Sequence, residues 1–267
     1  MRLVTATNGV SFFRSDLIAF PHAFATRLGG VSTLPHTASL NLAFGRGDED
    51  AVVLTNLARF TQAVGVPGEV ISLPQIHSAD VRIVGEADRG LGYQRAADAA
   101  CDGYVTADAR VSIGVKTADC VPILLADEVA GVVGALHAGW RGTVAGIARE
   151  GIAQMTALGA DPARIKVAIG PSIGVCCYAV GEDFCRAVAE SPCAELCLPH
   201  VHRGGDQPAA DLPAMNAAIL RSVGVREENI DLARLCTCCR TDLFYSHRAS
   251  GGLRGTMLNL IAIPKGE

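Results

Sequence analysis

The 267-residue sequence predicts an α+β fold, a single-domain layered α/β sandwich with mixed sheets that spans residues 1–267. Three observations carry that prediction. Six short β-rich runs crowd between Glu69 and His137, and several are apolar on both faces, as expected of strands covered on two sides. Segments with helical spacing alternate with strands only in part, which favours mixed sheets over an all-parallel one. No low-complexity tract, repeat or Pro/Ser-rich linker divides the chain.

The elements follow in order. The first 50 residues read as loop-rich, because "TRLGGVSTLPHTASLNLAFGRGDED" spaces Gly, Pro, Ser and Thr as turns do. "DEDAVVLTNLARFTQAVG" reads as a helix, acidic at its start and ending near Gly65. Strands are predicted at "EVISL", "DVRIV", "DGYVTA", "SIGVKTA", "VPILLAD" and "AGVVGALH". "TVAGIAREGIAQMTALG" is a helix with Thr143 as N-cap, so "LHAGWRG" is a strand-to-helix turn. A strand "RIKVAIG", helices around "GEDFCRAVAES" and "DLPAMNAAILRSVG", and strands "NIDLA", "LFYSHR" and "TMLNLIAI" complete the chain.

Composition narrows the function. Hydrophobic residues make up 49% and charged residues 19%, which suits a compact core. A net charge of -4 without a Lys/Arg cluster argues against nucleic acid as a partner. No signal peptide and no apolar run long enough to span a bilayer is apparent, so no membrane is expected and the cytoplasm is the expected location. In that compartment ten cysteines are buried thiols, metal ligands or reactive thiolates before they are disulfides.

Three segments place a potential ligand at a strand end or loop: "LPQIHSADV" with His77, "VKTADCVPI" with Cys120 and "ALHAGWRG" with His137. Two imidazoles and a thiolate suit Zn²⁺ with an open fourth position, and the same donors also accept Cu²⁺. The residues alone leave a second reading open: Cys120 as nucleophile and His137 as its base in a metal-free cysteine hydrolase, for instance an amidase editing peptidoglycan precursors. A third is a binding or redox-sensing protein without turnover.

The ordered set "TRLGGVS", "SLNLAFGRGDE", "QIHSADV", "VKTADCVPILL", "LHAGWRGT", "AIGPSIGVCCYAVG" and "CTCCRTDLFYSHR" resembles the YfiH-like laccase-domain family of multifunctional purine nucleoside phosphorylases, from about Thr26 to Ile263. The resemblance implies a metal on His77, Cys120 and His137. It also implies phosphorolysis of adenosine, inosine and methylthioadenosine, deamination of adenosine, and a polyphenol oxidase activity. The chain departs from the family at Asn56-Leu57, where Asn-Arg is common, and in its tail, which reads "LRGTM" where Gly-Arg is common. No substrate contact is therefore carried onto that helix or that tail.

Each implied reaction asks for particular groups. Deamination needs a proton donor and acceptor, for which Asp119 beside Cys120 is the candidate, with orientation of a ligand as its other reading. Phosphorolysis needs an anion site: Arg141 near a helix start is the first candidate and Arg46 the second. Asn41 and Ser78 are candidates for hydrogen bonds to base or ribose. Seven histidines, with one H-x-H pair at His200 and His202, are too few for a blue copper plus a trinuclear cluster, so copper oxidase chemistry would be a weak one-site reaction. Cys236, Cys238 and Cys239, with Cys176 and Cys177, are a candidate second thiolate site, although "CTCC" lacks two separated CxxC pairs.

Overall fold

The computed structural model describes residues 1–264, so the last three residues of the expected domain lie outside it. Its strands and helices run in the order β1 (Arg2–Thr5), β2 (Ser11–Arg14), β3 (His22–Ala25), α1 (Asp50–Val64), β4 (Val70–Ile71), β5 (Val81–Ile83), β6 (Gly103–Thr106), β7 (Ser112–Thr117), β8 (Val121–Asp127) and β9 (Val132–Ala138). There follow α2 (Trp140–Ala145), α3 (Ile147–Ala157), β10 (Lys166–Ile169), α4 (Glu182–Ala189), α5 (Ala194–Cys197), β11 (Val201–His202), β12 (Ala209–Ala210), α6 (Leu212–Ser222), β13 (Ile230–Leu232), α7 (His247–Ser250) and β14 (Met257–Ala262).

Two six-stranded sheets carry the architecture. One has the order β1-β2-β3-β14-β7-β4 and the other β13-β10-β8-β9-β6-β5; β11 and β12 form a separate pair. Both are mixed: β4 runs parallel to β7, β5 to β6 and β10 to β13, while the remaining neighbours are antiparallel. The side-chain alternation of β8 explains its unbroken apolar run. Leu124 and Ala126 join the core facing the first sheet and α1, whereas Ile123 and Leu125 join the core under α3 and α6. β9 divides likewise, with Val133 and Ala135 on one side and Val132 and Leu136 on the other. The second sheet is thus the middle layer of three, with a sheet on one face and helices on the other.

Two expectations are corrected and one is extended. The first 50 residues are loop-rich as expected, with no strand or helix between Thr26 and Glu49, but β1, β2 and β3 lie among those loops and form the edge of the first sheet, and Phe12, Phe13 and Phe24 are buried in its core. Their turns hid short strands whose apolar content is ordinary. "LFYSHR" is not a strand; Phe244 and Tyr245 are buried, but the Phe244 N–H donates to the Arg240 carbonyl and the Tyr245 N–H to Met257 Sδ. Those backbone groups are consumed locally, and Ser246 then caps α7 by accepting the Ala249 N–H at 3.1 Å.

The helix after "LHAGWRG" begins at Trp140, with Gly139 as the extended N-cap residue (φ −64, ψ 166). Thr143 is therefore inside α2, where its Oγ1 accepts from Asn216 Nδ2 at 3.0 Å. Gly146, at φ 90, then separates α2 from α3, a left-handed conformation that favours glycine. α1 ends as expected, with Gly65 at φ 78 donating its N–H to the Thr61 carbonyl. No helix of the described residues is long and apolar enough to cross a membrane.

Candidate metal centre and anion cavity

Three different loops and strands deliver the predicted ligands. His77 lies between β4 and β5, Cys120 in the tight connection from β7 to β8, and His137 on β9 opposite Pro122 of β8. That pairing brings the end of β9 beside the start of β8, so residues 17 apart in sequence become neighbours. The donor atoms of His77, Cys120 and His137 all lie within 4.8 Å of one another, with Cys120 Sγ 3.8 Å from His77 Nε2. The two imidazole rings meet edge to face, 4.9 Å between centroids.

A residue that the sequence reading missed organises this cluster. Asp102, wholly buried just before β6, accepts the Nδ1–H of His137 at 2.7 Å. Its two oxygens also accept the backbone N–H groups of Ile76, His77 and Ser78 at 3.2, 3.0 and 2.7 Å, and the Ser78 hydroxyl at 2.8 Å. One carboxylate therefore fixes the tautomer of one ligand and cradles the loop that carries another. The cradle holds His77 at φ 63, a conformation uncommon for a residue with a Cβ. Burial alone would raise the Asp102 carboxyl, but the bonds from His137 and Ser78 prevail and hold it down to about 2. The only sequence signal was an aspartate starting a β-run, "CDGYV", which turns share.

Glycines set the close approaches. A Cβ at Gly139 would lie 2.6 Å from His77 Cδ2 and 3.4 Å from Cys120 Sγ, and one at Gly142 would lie 2.6 Å from the Ser78 carbonyl oxygen. The "HAGWRG" turn is glycine-rich because the His77 loop passes directly over it. Trp140 packs on Phe184 (5.5 Å) and beneath the Arg141 guanidinium (4.4 Å).

The donor set fits a metal. In a tetrahedral site with Zn–S of about 2.3 Å and Zn–N of about 2.0 Å, sulfur and nitrogen sit about 3.5 Å apart, close to the 3.8 Å between Cys120 and His77. With His137 Nδ1 bonded to Asp102, its Nε2 is the ring nitrogen left for coordination. Burial would raise the Cys120 thiol and lower His137, yet the two groups act on each other, with Asp102 helping, to bring the thiol down to about 6 and the imidazole up to about 9; a bound metal would take the place of the proton His137 shares with Cys120.

A cavity of about 270 Å³ opens onto these ligands and is lined also by Phe44, Gln75, Arg46, Lys116 and Arg254. Among the described residues, three cations and no carboxylate line it. Burial and the nearby Arg46 charge pull the Arg254 guanidinium down, and the same two causes bring Lys116 down to about 8. Arg254 Nε is buried without a hydrogen-bond partner. Mutual repulsion and an orphaned donor are what an anion would relieve.

Of the sequence candidates, the structure gathers His77, Cys120, His137 and Arg46 around this cavity and leaves Asn41, Ser78, Asp119 and Arg141 out of its lining. Asn41 is buried, donating to the Ala43 carbonyl and Asp48 and accepting from the Thr256 N–H. Ser78 is bound to Asp102. Asp119 has both oxygens occupied, by the Thr237 hydroxyl at 2.6 Å and the Arg248 N–H at 2.7 Å, which suits positioning of the Cys120 turn rather than proton transfer. Arg141 is exposed over Trp140, outside the cavity that Arg46 lines together with Lys116 and Arg254. Arg254 sits in "LRGTM", the tail to which no substrate contact was carried, and it lines the cavity wall. Asn56 and Arg59 of α1 are engaged with backbone carbonyls, Asn41 and Gly29 among them.

Known proteins resemble the chain over most of its length. The chain is 38% identical to a purine nucleoside phosphorylase of Deinococcus radiodurans over 260 residues, covering 97% of this chain and 95% of that protein. It is 35% identical to adenosine deaminase RL5 of an unknown prokaryotic organism, over 86% of this chain and 88% of the relative. The crystal structure of YlmD from Geobacillus stearothermophilus superimposes with a TM-score of 0.88 at 34% identity, covering 98% of this chain and 99% of that one. These names do not support the metal-free cysteine hydrolase, and two imidazoles on one thiol exceed what a nucleophile and its base need. The sequence profile of the family described as multi-copper polyphenol oxidoreductase laccase matches residues 21–264, and the chain belongs to that family.

Proposed function

We propose that this protein is a purine nucleoside phosphorylase that also deaminates adenosine, with Zn²⁺ on His77, Cys120 and His137. The observation that carries the reading is the convergence of Arg46, Lys116 and Arg254, unopposed by any carboxylate among the described residues, on the cavity that the three ligands also line. The names of its relatives, purine nucleoside phosphorylase and adenosine deaminase, support the same two reactions.

In phosphorolysis a phosphate oxygen bonds to C1′ of the ribose while the C1′–N9 bond breaks, its electron pair leaving with the purine, which takes up a proton. The three cations bind and orient the phosphate against the anomeric carbon, where its negative charge offsets the positive charge developing on the sugar. The Phe44 ring offers an apolar surface in the same wall. When bound, the metal supplies Lewis acidity at that wall. Asp102 holds the His137 ring and the His77 loop still while this happens. Adenosine, inosine and methylthioadenosine are the proposed nucleosides; in deamination, adenosine and water give inosine and ammonia. Copper on the same ligands would allow only weak polyphenol oxidation.

The test incubates purified protein with adenosine, with and without phosphate, beside a His137→Ala protein. Phosphate-dependent release of adenine and ribose 1-phosphate, lost in the variant, is expected. Inosine alone, whatever the phosphate concentration, would remove the phosphorylase half of the reading, and unchanged turnover in His137→Ala would remove the metal site.

A further inference from the structure

We propose that Cys176, Cys177, Cys236 and Cys239 form a second metal site, a tetrathiolate for a divalent cation of the Zn²⁺ class, separate from the catalytic cluster. The four sulfurs lie within 4.8 Å of one another, the second such group among the described residues. Cys239 Sγ is 3.4 Å from Cys177 Sγ and 3.6 Å from Cys176 Sγ. A tetrahedron with Zn–S bonds of about 2.3 Å has edges of about 3.8 Å, so small rotations of these side chains complete it.

Two turns supply two ligands each. In the first, the Cys177 and Tyr178 N–H groups donate to the Gly174 carbonyl; in the second, Cys236 and Cys239 have the i, i+3 spacing of a CxxC half-site, and the Arg240 N–H donates to the Cys236 carbonyl. A bridge between Ser172 and Cys236 holds the turns side by side. The Gly174 N–H donates to Cys236 Sγ at 3.2 Å, stabilising negative charge on that sulfur. Gly174 also leaves the room: a Cβ there would lie 3.4 Å from Cys176 Sγ and 3.2 Å from Cys236 Cβ. The sequence offered Cys236, Cys238 and Cys239 with Cys176 and Cys177 as a candidate thiolate site; the fold groups Cys176, Cys177, Cys236 and Cys239 and leaves Cys238 out of the group.

The site would brace the catalytic turn. Thr237, between the ligands, donates to Asp119 Oδ1 at 2.6 Å, and the Ile173 N–H donates to the Asp119 carbonyl at 2.8 Å, one residue before Cys120. Arg248, whose N–H binds the other Asp119 oxygen, also donates to the Cys177 carbonyl at 2.9 Å. A closed tetrathiolate clamps both turns, and through them the connection that carries Cys120.

Co²⁺ titration of the reduced full-length Cys120→Ser protein, in which the catalytic cluster is disabled, tests the site. One Co²⁺ per chain with the intense charge-transfer absorption of four thiolates is expected. Adding Cys236→Ser should abolish that spectrum and adding Cys238→Ser should preserve it. A spectrum that is absent, or indifferent to Cys236→Ser, overturns the proposal. Should Cys236→Ser fail to fold, the unmodified protein decides: Zn²⁺ should slow alkylation of all four cysteines at least tenfold, as read by mass spectrometry. Equal rates with and without Zn²⁺, or disulfides among the four whose reduction restores no metal binding, overturn it.

Discussion

Asp102 Oδ1 accepts the Nδ1–H of His137 at 2.7 Å while accepting the backbone N–H of His77 at 3.0 Å, so a single buried carboxylate aligns two of the three residues of the proposed metal centre. Asp102→Asn replaces an acceptor by an amide that can present a donor to His137, favouring the tautomer with hydrogen on Nε2. Zn²⁺ affinity should fall about 10- to 100-fold, and nucleoside turnover with it. Competition with a chromophoric chelator measures the first; an affinity within twofold of the parent would refute this role.

Gly139→Ala tests the approach of the His77 loop to α2. At φ −64 the backbone admits alanine, so the variant isolates the clash of its Cβ with His77 Cδ2 at 2.6 Å. Metal affinity and activity should drop about tenfold or more, while the unfolding midpoint without metal hardly moves, since lost chain entropy in the unfolded state contributes about 0.4–1 kcal/mol in favour of alanine. Intact metal binding would show that the loop can retreat at no cost.

Lys116 titrates near pH 8, because burial and then the Arg46 charge bring it down. Its cation is present below that pH and lost above it, so KM for phosphate should rise as pH increases through about 8. In Lys116→Met, KM should already be about tenfold or more higher at pH 7, as expected for losing a hydrogen bond to a charged group worth about 1.5–3 kcal/mol, and should lack that further rise. Comparing the two profiles separates the lysine from the ionisation of phosphate itself. Arg254→Met should raise KM for phosphate similarly, leaving nucleoside deamination the less affected reaction.

His22 gives an acid-stability prediction away from the cavity. Its Nδ1–H donates to the Phe20 carbonyl and its Nε2 accepts the Ser15 N–H, an arrangement that only the neutral ring can make. Burial is the main cause that brings it from 6.5 to about 4. A depressed folded value means that the unfolded chain binds the proton first. Its contribution is complete above pH 6.5 and is lost as pH falls toward 4, amounting to about 3 kcal/mol. Urea unfolding of the parent and of His22→Asn across that range checks it: the parent should lose more stability than the variant, and parallel curves would contradict the assignment.

Much was legible before any coordinates. Leu124 and Ala126 against Ile123 and Leu125 make β8 apolar on both faces, and that run alone signals a covered middle sheet. The ends of α1 were legible for the same local reason, acidic residues at the start and a left-handed glycine at the close. "LFYSHR" misled because its apolar residues are buried without joining a ladder, and burial is what β-propensity mostly records.

The sequence by itself determined the layered α+β class, because apolar periodicity is a property of the chain read locally, and it offered His77, Cys120 and His137 as a candidate ligand set through motifs that resemble a family's. Tertiary structure alone decided that Asp102 reaches both His137 and the His77 loop, that Arg254 rather than Arg141 joins Arg46 and Lys116, and that two distant cysteine turns converge. These relations span 25 to 208 positions between Asp102 and His77 and between Arg46 and Arg254, and chain separation carries no record of them. They exist only where sheet register and side-chain packing bring buried polar groups to the partners that burial obliges them to find.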